Sequence, residues 1–180
     1  IHTEVQYRNH TIVPNNTEQL LLRTGVNYHL ETAMITAGYG HIGSYVYLSE
    51  KKAPEVEEHR ILQQLITTNK IGRIKLEHRY RVEQRWVNKV YKNRLRYRLM
   101  EFIPLNKKTI EKGTVFIGLY DEIFMNTQQP YFDRNRLYGA LGYQINKLTG
   151  VQAGMLHQET NAGGKWYLQF ALVFNTDFRT

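Results

Sequence analysis

The sequence is short of several residue types, and each shortage closes a route. No cysteine occurs in 180 residues, which excludes a disulfide framework, a thiolate metal site and a cysteine nucleophile. The redox compartment stays open. Serine occurs only as Ser44 and Ser49. GHIGS offers His41 and Ser44, the residue types of a serine lipase, but positions i and i+3 on a strand face opposite ways. Ser49 lies in a charged connector, so serine-type catalysis lacks its geometry. The histidines at 2, 10, 29, 41, 59, 78 and 157 show no HxH or HxxEH spacing, and no metal site is expected. There is no glycine-rich phosphate loop, and hence no cofactor is expected. No stretch approaches the roughly 20 apolar residues of a membrane helix. No signal segment is visible and Ile1 opens directly into a strand-like pattern, so the given chain is expected to begin after processing or truncation.

Acidic residues are also outnumbered. Lys plus Arg total 24 against 16 Asp plus Glu, a net charge of +8 with a pI near 9.6. That balance suits nucleic acid, anionic lipid, an anionic substrate or simply a basic solvated surface. Nucleic acid is disfavoured because the aromatics share the apolar face instead of interleaving with Arg. Length allows one domain with a substantial core. Thirteen tyrosines against seven phenylalanines favour half-wet positions.

What the chain does have is a period of two. In KLEHRYRVEQRW (75–86), Lys75, Glu77, Arg79, Arg81, Glu83 and Arg85 share one strand face, while Leu76, Tyr80, Val82 and Trp86 share the other. YKNRLRYRLM (91–100) repeats the theme, with Leu95 and Tyr97 opposite Arg94, Arg96 and Arg98. Residues 134–146 set Leu137, Leu141 and Tyr143 against Arg134 and Arg136, and 165–175 set Leu168, Phe170 and Leu172 against Gln169 and Ala171. Further candidate strands cover 2–8, 18–30, 32–48, 59–67, 114–124 and 151–158. The best helical candidate, 55–65, lacks a clean apolar stripe. Ten neighbouring strands predict an antiparallel meander. The connectors at 9–16, 49–58, 126–133 and 159–164 read as long, and those at 30–32, 68–71 and 147–150 as tight. Alternating long and short links place the long ones at one end, although 105–113 and 87–90 break the rhythm.

Periodicity cannot say which face is wet. A soluble closed barrel buries the apolar face, and a transmembrane barrel turns it to lipid. Three features favour lipid. The fifth strand alternates for about 14 residues, roughly 45 Å at 3.3 Å per residue, beyond the five or six usual in soluble sheets. Its charged face is dense in Arg and interleaved with Glu, which suits a packed ion network. Trp86, Tyr91, Tyr131 and Trp166 stand near strand ends, as in membrane girdles.

The strings VQYRNH (5–10), LLLRTGVNY (20–28), HRILQQL (59–65), EHRYRVEQRW (77–86), RLRYRL (94–99), IPLNKK (103–108), LYDEIFMN (119–126) and FDRNRLYGALGYQINK (132–147) run along nearly the whole chain. Together they resemble an uncharacterised, domain-of-unknown-function family of putative outer-membrane β-barrel proteins from Bacteroidetes. The resemblance implies an exported Gram-negative outer-membrane barrel, with no reaction and no catalytic residues. It also implies a further strand ahead of the VQYRNH segment, so the expected count of about ten strands spans 8–12.

The expectation is therefore a single all-β domain: an up-and-down antiparallel transmembrane β-barrel with a polar, charged interior. Lys75, Glu77, Arg79, Arg81, Glu83, Arg85, Arg94, Arg96, Arg98, Glu122, Arg134 and Arg136 would form the lumen network. Leu76, Tyr80, Val82, Leu95, Tyr97, Leu141, Leu168, Phe170 and Leu172 would meet lipid. Asp121 and Glu122 are adjacent and face opposite ways, so they cannot act as a glycosidase pair; Glu122 is expected to pair with Arg96 or Arg136. A barrel this narrow has little more room than its side chains need, which favours a structural, non-catalytic plug. Its partners would be outer-membrane lipid and other outer-membrane subunits. The alternatives are a narrow anion-selective pore or small-ligand transporter, and a soluble lipocalin-like binding barrel.

Overall fold

The computed structural model describes residues 1–9, 16–46 and 54–174. Ten strands follow one another: β1 (His2–Asn9), β2 (Thr17–His29), β3 (Ala33–Ser44), β4 (Val56–Ile71), β5 (Ile74–Val87), β6 (Val90–Pro104), β7 (Val115–Asn126), β8 (Phe132–Gln144), β9 (Thr149–Thr160) and β10 (Gly163–Phe174). No helix occurs among the described residues, and 55–65 lies mostly in β4. The strands form one up-and-down antiparallel sheet in sequence order. The ends of the third and tenth candidates (47, 48 and 175), Phe178, most of the connector at 9–16 and half of that at 49–58 lie outside the described residues.

Several strands outrun their sequence pattern. β4 has 16 residues where only the poorly patterned 59–67 was expected, and β9 has 12 where 151–158 was expected. The tight connector expected at 68–71 lies entirely within β4. Strand pairing there is carried by backbone hydrogen bonds, which continue past the point where side-chain alternation fades. The connector expected to be long at 159–164 is instead a two-residue turn, Asn161–Ala162. Gly163, at φ +115°, lets the chain reverse there. Between β5 and β6 the turn residues Asn88 (φ 46°) and Lys89 (φ 70°) are both left-handed, the combination a type I′ hairpin demands.

The chain divides into two compact units. The first comprises 1–66, 80–96 and 125–131; the second comprises 67–79, 97–124 and 132–180. In the first, Leu21, Ile42 and Leu62 are buried alongside Arg23, Glu58, Arg60, Arg81, Glu83, Arg94 and Arg96. In the second, Met100, Phe116, Phe124, Tyr138, Ala140 and Leu156 are buried. Tyr120 and Tyr138 stack at 4.8 Å, and the Phe102 and Phe116 rings meet edge-on at 6.0 Å. Gly142 makes room for Phe116: a Cβ there would lie 2.3 Å from the ring.

Candidate functional site

The charged faces of β4, β5 and β6 form the site, and alternation puts them together. Inward residues recur every second position, so Glu58 and Arg60 on β4, Arg81, Glu83 and Arg85 on β5, and Arg94 and Arg96 on β6 share one face. Glu83 is the hub and is fully buried. Arg94 donates from Nη2 (2.6 Å) and Nε (2.9 Å) to its Oε2. Arg96 Nη1 reaches Oε1 at 2.7 Å, Arg60 Nη1 at 3.2 Å and Arg81 Nη1 at 3.5 Å. Glu58 bridges the next layer: it accepts Arg60 Nη2 at 2.6 Å and both Nε and Nη2 of Arg85 at 2.7 Å. Arg81 also donates to Gln64 Oε1, and Arg23 pairs with Glu4 at 2.9 Å across β1 and β2. Such forked, charge-assisted contacts are the strong form of hydrogen bond, and they compensate the desolvation that burial imposes on each ion.

The second unit carries a sparser set. Arg79 Nη2 meets Glu122 at 2.7 Å, and Arg98 Nη2 meets Glu77 at 2.6 Å while its guanidinium lies 5.5 Å from the Tyr120 ring. Arg136 donates to Gln158 at 2.8 Å and stands over Phe124 at 5.0 Å. Arg134 pairs with Asp133 at 3.0 Å, and Lys75 stands 5.5 Å from the Phe102 ring. Glu122, expected to pair with arginines of the sixth or eighth strand such as Arg96 or Arg136, is reached by Arg79 from β5, two strands away across β6. Asp121 faces the other way and accepts from Asn135.

The opposite face is apolar and exposed. Tyr80, Val82, Leu95, Leu141, Leu168, Phe170 and Leu172 are all exposed, Phe170 at 80%. Leu76 and Tyr97 are half-buried, and the Tyr97 hydroxyl meets His78 Nδ1 at 2.9 Å. Ser44 and His41 do not meet: Ser44 accepts from Gln19, while His41 contacts Glu57. Sequence reasoning left out Glu4, Arg23, Glu58, Arg60 and Gln64. Glu58 and Arg60 were legible as two steps of the same alternation, but Glu58 sat in a segment read as a connector.

The family described as "Protein of unknown function (DUF2490)" matches residues 1–169, from β1 into β10. The chain belongs to this family. No curated protein and no solved structure shows significant similarity to it. The DUF2490 match covers every residue of both charge clusters, so the ion network lies within the family's own domain.

Proposed function

We propose that this DUF2490 chain is a transmembrane β-barrel of the Gram-negative outer membrane whose lumen is filled by an Arg/Glu network. Its role is structural and non-catalytic: a scaffold, or an accessory subunit of a larger envelope assembly. One observation carries the reading. Charge is buried and apolar side chains are exposed, with Glu83 at 0% and Phe170 at 80%. A single exposed Leu means little, but a face of Val, Leu, Tyr and Phe opposite buried arginines is the inverse of a water-soluble sheet. Strand lengths of 12 to 16 residues for β2–β10 support it, since a membrane strand needs about 9–11 residues. The protein should be extracted from cell envelopes only with detergent and show heat-modifiable gel migration. A monodisperse monomer in plain buffer would overturn the reading and favour a soluble binding barrel.

A second reading has its own support. The first unit's cluster joins six guanidiniums (Arg23, Arg60, Arg81, Arg85, Arg94, Arg96) to three carboxylates (Glu4, Glu58, Glu83). A surplus of Arg favours a narrow anion-selective pathway. Planar-bilayer recording separates the two: no conductance excludes a pathway, and changed selectivity in Arg81→Glu supports one.

A further inference from the structure

The exposed face of β3 and β4 is not uniformly apolar. His41 on β3 and Glu57 and His59 on β4 project together among the exposed Ile35, Tyr39 and Ile61. His41 Nε2 lies 2.9 Å from Glu57 Oε1, and His59 Nε2 lies 3.6 Å from the same oxygen. The imidazole rings stand 5.0 Å apart, and one ligand atom from each residue falls within 4.8 Å of the others. We propose that this trio is a binding site for a divalent transition-metal ion of the zinc class.

The donor set is the first argument. Two imidazole nitrogens and one carboxylate oxygen are the borderline ligands that zinc takes, with bonds of about 2.0–2.2 Å. Tetrahedral ligands at that length are about 3.4 Å apart, so the donor atoms, all within 4.8 Å of one another, have to close by at most about 1.4 Å. The supporting contacts are the second. Tyr39 Oη meets His59 Nδ1, so a proton held on Nδ1 leaves Nε2 as the free donor toward the ion. Glu57 is fixed through its backbone: its N–H donates to Asn88 Oδ1 at 2.8 Å, and its carbonyl accepts the Asn88 N–H at 2.9 Å. The left-handed turn at Asn88 thereby locks the start of β4. A recess lined by Glu57, His59, Trp86, Asn88 and Lys89 leaves one side open to water or an external ligand.

Linear spacing hides the site. His59 and Glu57 are two apart, but His41 comes from the neighbouring strand. The proposal stands on the cluster alone and goes beyond the membrane reading; it can be tested in detergent or in plain buffer, whichever holds the protein.

Tag-free protein is titrated calorimetrically with Zn²⁺, and Co²⁺ serves as a spectroscopic probe. One ion per chain should bind. His41→Gln and His59→Gln should each weaken it at least about 100-fold, and Tyr39→Phe by about 10-fold. His157→Gln, whose imidazole stacks on Trp166 at 4.6 Å, should leave binding unchanged. Native gel migration of each variant checks the fold. Absence of saturable one-to-one uptake, or uptake retained in the His41→Gln/His59→Gln double variant, overturns the proposal.

Discussion

The two units solve the same problem with different chemistry. Both place Arg on the inward face, but the first concentrates it: four guanidiniums converge on Glu83, which has no exposed surface. In the second, Arg79 meets Glu122 and Arg98 meets Glu77, and Phe116, Phe124, Tyr120 and Tyr138 pack around them. The lesson concerns where stability resides. In the first unit it rests on one carboxylate shared by many cations. In the second it rests on packed rings, with arginines lying over them.

The sharpest test removes the hub. Glu83→Gln keeps the side chain's shape but leaves four buried guanidiniums without the carboxylate they surround, and should cost about 3–5 kcal/mol. Glu77→Gln should cost less, roughly 1–3 kcal/mol, because Arg98 also has the Tyr120 ring. Urea unfolding of the two variants side by side measures the difference. Equal losses would dissolve the contrast between the units.

The inward-facing arginines and glutamates of β5 and β6 were readable from sequence, because a period of two fixes which residues share a face whatever lies beyond it. Which face was buried did not follow from alternation, which is symmetric under exchange of the faces; strand length, Arg density and the aromatics near strand ends had to favour one. The hub was equally hidden. Nothing local to Glu83 shows that Arg60, twenty-three residues earlier, stands beside it. The extra turns of β4 and β9 escaped because pairing is specified by the neighbouring strand, and the His41–Glu57–His59 cluster because it is assembled across two strands.

On the other side of the comparison, Phe124→Ala should cost about 3 kcal/mol, since a fully buried ring is lost and two guanidiniums lose the surface they cover. The urea midpoint should fall with the slope unchanged. A loss below about 1 kcal/mol would mean that rings do not carry the second unit. The smallest effect is expected at the β5–β6 turn. Lys89 holds φ at 70°, where a Cβ is unfavourable, so Lys89→Gly should stabilise by up to about 1 kcal/mol. A raised unfolding midpoint checks this; a lowered one would mean that the Lys89 side chain matters more than its backbone strain.

Every strand of the sheet is bonded to the strands next to it in the chain, and the links at Gly72–Arg73, Asn88–Lys89 and Asn161–Ala162 are two residues long. Hairpin contacts of such short sequence separation ask for little loop-closure entropy. A hairpin can close once its second strand is available, and each new strand finds its edge already formed. The charges of the first unit are spread over three successive strands: Glu58 and Arg60 on β4, Glu83 on β5, and Arg94 and Arg96 on β6. Without β6 the hub carboxylate would keep only part of its complement, so a strand that looks like one of ten carries half of the cations around Glu83.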